Sequence, residues 1–193
     1  MSHVALVDAR LWRLLLMADR DLAAEVRAAG CVCGGTLHSA RYARKPRGGP
    51  PAELRGEYCW RESLCCAREG CRRRTTPASL RFLGRRVYLG AVVVLVSAMT
   101  GGVSAKRAAA MRAWVGVTIR TLQRWRAWWL RTFPQTVFWK GARAQLAPPV
   151  DERRLPASLL ERFAEPLADG LEACLRFLAP ITITTRGGCT MAA

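Results

Sequence analysis

Between Gly70 and Val150 the chain has no Asp or Glu, although the same stretch carries fifteen Lys or Arg. All fourteen carboxylates lie outside it, from Asp8 to Glu69 and from Asp151 to Glu172. A solvated surface ordinarily mixes both signs, so a one-signed stretch of this length calls for a polyanionic partner. Metal-assisted phosphoryl chemistry needs carboxylates clustered on converging elements. The adjacent pair Asp151 and Glu152 reads instead as a helix start. A P-loop, G-x-S-x-G, H-E-x-x-H and Cys-x-x-Cys are also missing. These absences predict a protein that is not an enzyme.

A long apolar run is missing as well. The most apolar segment, Val87 to Met99, spans thirteen residues, short of the roughly 20 that a membrane helix needs, and it reads as a buried core helix. The N-terminal MSHVALVDARLWRLLLMADRDL has no basic start followed by a long apolar core, so no signal peptide is predicted. The expected setting is the cytoplasm, in association with the nucleoid and with no membrane partner. Free thiols and zinc thiolates are expected there, not structural disulfides.

What is present is a globular composition: 193 residues, 51% hydrophobic, with a net charge of +17. That length suffices for one medium domain or two small ones with a real core. A charge of this size implies strong, salt-sensitive attraction to polyanions.

Along the chain the pattern changes three times, giving four segments. Residues 1–30 form an N-terminal helical segment, with Asp8 as a cap, Leu11, Leu14, Leu15, Leu22 and Val26 near helical spacing, and Gly30 at its end. Residues 31–76 are rich in Gly, Pro and Cys, with RKPRGGPP at 44–51 as a loop, and need a staple to fold. Residues 77–135 read as three helices. The first covers about 85–99 before Gly101-Gly102, the second 104–114 with Ser104 as N-cap, and the third 118–132, ending before Pro134. Residues 136–193 begin as a linker with Pro148-Pro149, followed by short amphipathic helices near 156–164 and 166–178 and a tail. The expected fold is mainly α, with a small zinc-ribbon β module and a three-helix helix-turn-helix unit.

Six of the eight cysteines fall between positions 31 and 71. Two close pairs, Cys31-Val-Cys33-Gly-Gly and Cys66-Ala-Arg-Glu-Gly-Cys71, can supply four thiolates to one zinc. Glycine beside a ligand lets the backbone fold tightly enough to aim amides at sulfur. Arg72, Arg73, Arg74 and Lys45 stand near enough in sequence to offset the negative centre. The one-residue gap in the first pair is tighter than usual, and the intervening loop is longer. His38, Cys59 or Cys65 therefore stands as a substitute ligand, and buried inert thiols are the plainer alternative. Cys174 reads as a core thiol, and Cys189 falls in the tail.

The stretch 104–129 carries the turn chemistry of a helix-turn-helix. Gly116 sits at the sharp turn, Val117 follows as its buried residue, and Leu122 and Trp125 anchor the next helix. At about 100° per residue, Leu122, Trp125 and Trp129 share a sector, and Arg120, Arg124 and Arg131 line the opposite side. Apolar anchoring with guanidinium forks facing outward suits a major-groove reader. The candidate base contacts are Thr118, Arg120, Thr121 and Arg124, and Lys106, Arg107 and Arg131 are further DNA contacts. Arg126 is assigned to phosphate or packing. Arg112 stands where close helix contact calls for a small residue, and Trp128 leans toward the arginine side.

CVCGG, CCAREGCRRRTTPASLRFLGRRVYL and GVTIRTLQRWRAWW together resemble the DNA-binding half of insertion-sequence transposases over residues 31–133. In that family a zinc ribbon leads into a helix-turn-helix that binds the element's ends. The resemblance implies double-stranded DNA as partner, and a transposase or recombinase alongside it. The family's catalytic carboxylates lie on a ribonuclease-H-like domain, and the 60 residues after Phe133 are too few for one. The expected function is therefore that of an accessory or regulatory DNA-binding protein of a mobile element. An RNA- or ribosome-associated zinc protein, with Trp128 stacking on bases, and the remnant of a transposase or nuclease are the alternatives.

Overall fold

The N-terminal helix α1 (Ala9–Ala29) turns Leu11, Trp12, Leu15, Leu16, Ala18, Asp19 and Ala23 inward, while Leu14, expected on the same stripe, lies off that face and is exposed. Gly30, at φ +73°, ends it in the left-handed conformation. A computed structural model describes residues 9–44, 54–83, 90–102, 109, 116–163 and 167–186. The chain is mostly helical, with two small antiparallel sheets among the described residues.

After α1 come β1 (Leu37–Ser39) and β2 (Tyr42–Ala43), then the single turn α2 (Arg55–Tyr58), β3 (Trp60–Arg61), β4 (Leu64–Cys66) and β5 (Arg74–Thr76). β2 pairs with β3, while the main sheet has the order β1-β4-β5-β6. Its outer strand β6 (Thr184–Arg186) comes from the region expected to be a tail. It pairs antiparallel with β5, Thr75 opposite Thr185, so the C-terminal segment completes the cysteine module. An exposed edge offers unpaired backbone groups, and β6 covers that of β5.

Helix α3 (Gly90–Gly102) has every side chain from Ala91 to Val96 buried. It packs against α4 (Ile119–Ala127), α6 (Ala157–Arg162) and α7 (Leu167–Leu178). A helix this apolar has little face to give to water, and its residues are buried through Ser97. The helix runs through Gly101-Gly102 and ends there. At its start, a Cβ on Gly90 would lie 2.9 Å from the Leu80 carbonyl oxygen.

The third predicted helix divides. Thr118 caps it, its side chain accepting from the Thr121 amide, and α4 continues to Ala127 before a π turn over Trp128–Thr132. Trp125, Trp129 and Phe133 recur every four residues, and all are buried. An α-helix at about 3.6 residues per turn would carry that series progressively off the core, and the wider π turn brings Phe133 back to it. Trp129 and Phe133 then meet at 5.0 Å, and Phe133 meets Trp139 of α5 (Val137–Ala142) at 4.9 Å. Trp128 is half-buried in this cluster, with its ring 4.7 Å from Trp129 and 5.3 Å from Phe133. It is held by packing and not displayed for stacking. Helix α5 itself falls where the sequence reads as linker.

Candidate metal centre

The two cysteine pairs are shaped by glycines. In the first, the Gly34 amide donates to the Cys31 carbonyl at 2.8 Å and the Cys31 amide to the Gly35 carbonyl at 2.9 Å. Gly34 has φ +79°, which a side chain would disfavour. A Cβ on Gly35 would lie 2.7 Å from the Cys66 sulfur and 3.0 Å from the Arg68 Cβ. In this way the one-residue gap between Cys31 and Cys33 becomes workable, because bare backbone occupies the space beside the sulfurs. The second pair turns at Gly70, φ +81°, and the Cys71 amide donates to the Arg68 carbonyl.

The sulfurs of Cys31, Cys33, Cys66 and Cys71 all lie within 4.8 Å of one another, a grouping that can hold a metal ion. Cys31 and Cys71 are 3.8 Å apart, and Cys33 and Cys66 3.6 Å. All are free thiols, Cys66 and Cys71 buried and the other two half-buried. A backbone hydrogen bond from Gly35 pulls the Cys33 pKa down to about 6, while burial pushes Cys66 up. Arg68 donates to the Cys33 carbonyl at 2.7 Å, tying the second pair to the first. Gly-Gly after Cys33 was the sequence signal for this close packing, whereas nothing in the sequence marked Arg68.

Strand alternation decides among the substitute ligands. Cys66 faces the centre, so its neighbour Cys65 faces away, its sulfur 3.7 Å from the Arg72 carbonyl oxygen. His38 pairs in register with Cys65, is exposed and stands outside the cluster, as does Cys59. Cys174 is buried in α7, with its pKa raised to about 12 by desolvation, as befits a core thiol. Lys45 and Cys189 lie outside the described residues.

Helix α4 presents Arg120, Arg124 and Arg126 to solvent and buries Leu122 and Trp125. Arg131 is also exposed, on the π turn. Gly116 turns the chain at φ +65°, and Val117 behind it is buried. Thr118 is exposed and serves as the cap. Thr121 is 6% exposed, and its hydroxyl lies 3.1 Å from that of Thr118 and accepts from Arg124 at 3.1 Å. Its side chain thus belongs to the cap and to the positioning of Arg124. Lys106, Arg107 and Arg112 lie outside the described residues, and of helix 104–114 only Ala109, which is helical, is described.

No helix among the described residues is long and apolar enough to cross a membrane. Comparison of the chain with protein-family models, curated proteins and solved structures finds no match.

Proposed function

We propose that the protein is a zinc-stabilised binder of double-stranded DNA whose reading element is α4. The observation that carries this reading is the arginine face of that helix. Arg120, Arg124 and Arg131 are exposed inside a stretch with no carboxylate, opposite the buried Leu122, Trp125 and Trp129. Neither Arg120 nor Arg131 enters an ion pair among the described residues. Guanidinium groups anchored this way suit phosphate and guanine.

Zinc suits the four-sulfur centre. Tetrahedral zinc with Zn–S near 2.3 Å separates its sulfurs by about 3.8 Å, against 3.6 and 3.8 Å here. The metal would supply folding free energy to a segment with a small core of Leu37, Leu64 and the cysteines.

Binding without catalysis is supported by the fate of the C-terminal acids. Glu152 accepts from Trp139 and Arg143, Glu161 pairs with Arg154, Glu172 pairs with Arg176, and Asp151 caps the Arg153 amide. The resemblance of residues 31–133 to transposase DNA-binding regions favours an accessory or regulatory protein of a mobile element, acting beside a transposase or recombinase. The test compares Arg120→Ala and Arg124→Ala on a selected duplex and on a scrambled one. A bidentate guanine contact predicts a loss of about 1–3 kcal/mol on the selected duplex and much less on the scrambled one. Equal losses on both duplexes would leave only nonspecific binding.

A further inference from the structure

Among the described residues, Trp60 is the one aromatic side chain among the exposed large hydrophobics, at 43% exposure. Its position is set by strand pairing. Trp60 of β3 stands opposite Ala43 of β2, so the two side chains share a face. Arg41, two residues before Ala43, stands over the Trp60 ring at 5.9 Å. The neighbouring Tyr42 takes the other face, toward Arg44 and Arg74. With only the Ala43 methyl opposite it on the paired strand, the indole stays partly open to solvent.

Arg41 also lines a cleft of about 290 Å³ between α1 and the strands, together with Arg20, Arg27, Ser39 and Glu62. Arg20 and Arg27 are two helical turns apart and project from the same face of α1. The small Ala23 and Ala24 between them form its floor. Arg20 is held by Glu57 at 2.8 Å, while Arg27 and Arg41 enter no ion pair among the described residues. Glu62 adds one carboxylate to a lining that holds three arginines. An anion beside a flat aromatic surface, with one acceptor within reach, is the chemistry of a nucleotide.

We propose that this cleft and Trp60 form a second nucleic-acid contact, which takes a backbone phosphate at Arg27 and Arg41 and stacks an unpaired base on Trp60. It deepens the DNA-binding reading above by assigning the cysteine module a single-stranded segment, such as a frayed or distorted site, while α4 takes duplex. Stacking on an exposed aromatic tolerates any base, and flanking arginines track the backbone. A stacked pair within a duplex would keep its faces from the indole, so Trp60 distinguishes strand state.

The experiment measures binding of the full, zinc-loaded chain to a labelled oligothymidine of about 12 nucleotides and to a duplex, for wild type, Trp60→Ala and Trp60→Phe. Metal content and melting of each variant serve as the folding control. The expected result is a loss of about tenfold on the single strand for Trp60→Ala, with duplex affinity unchanged and most single-strand affinity retained by Trp60→Phe. Arg27→Ala should flatten the salt dependence on the single strand. Wild-type single-strand affinity in Trp60→Ala would overturn this second contact and leave duplex binding standing. Equal loss on both ligands would overturn it too. Failure of the wild type to bind either ligand would overturn it together with the DNA-binding reading.

Discussion

Asp19 and Arg81 stand 62 residues apart in the chain, meet at 2.8 Å, and are both fully buried. Asp19 also accepts from the Ser79 hydroxyl at 2.5 Å and the Leu80 amide at 2.6 Å, while Arg81 donates to the Trp60 carbonyl at 2.9 Å. This network clamps α1 to the segment leaving the cysteine module. Next to it, the Ser79 amide donates to Thr182 Oγ1 at 2.8 Å and ties in the segment before β6. Removing one partner of a buried pair strands the other charge, so Asp19→Ala should cost about 3–5 kcal/mol. Chemical denaturation measures this. A loss below about 1 kcal/mol, the range of an exposed pair, would show that the network does not clamp the fold.

The metal centre predicts about one zinc per chain. Chelation should unfold the β1-β4-β5 region, because ligand binding and folding are one equilibrium in a small metal module. Cys71→Ser should do the same, while Cys65→Ser should keep the metal. Metal analysis with circular dichroism decides, and full zinc in Cys71→Ser would move the ligand set elsewhere.

Gly35→Ala tests the crowding beside the sulfurs. Its Cβ would sit 2.7 Å from the Cys66 sulfur, closer than packing allows, so that sulfur or the first pair must shift. Displaced ligands should weaken zinc binding by about 10–100-fold, the range seen for supporting residues. Competition with a chromophoric chelator reads this directly, and unchanged affinity would mean the first pair relaxes freely.

Much of this was legible in the sequence, and the exceptions have physical causes. Local spacing puts Leu14 on the core stripe of α1, whereas the structure exposes it. The existence of α1, its end at Gly30 and the two cysteine pairs each follow from local spacing. The π turn does not, because it arises from Trp125, Trp129 and Phe133 all seeking one core. β6 was illegible since three residues become a strand only when the β5 edge receives them. Asp19 reads as a solvated helix charge until Arg81 and the Leu80 amide surround it. Cys65 and Cys66 are indistinguishable by spacing, and only strand alternation separates them.

Acid sensitivity should have a component at Glu152. Hydrogen bonds from Trp139 and then Arg143 hold its carboxyl below the usual carboxylate range. A folded-state pKa below the unfolded one contributes stability above the ordinary value, about 4.3, that disappears as pH falls through the folded value. Glu152→Gln should therefore show a smaller drop in Tm than wild type on acidification from about pH 6 to about pH 3. Parallel curves would assign the acid limb to other groups.

The claim that the carboxylate-free arginine stretch serves DNA meets its most direct test in the salt dependence of duplex binding by the wild-type, zinc-loaded chain. Each phosphate contact releases condensed counterions, so log K should fall linearly with log salt by about 0.9 per contact. Several contacts from Arg120, Arg124, Arg131 and their neighbours predict a steep slope, equivalent to at least about three phosphates. A flat dependence, or no duplex binding at low salt, would contradict the account.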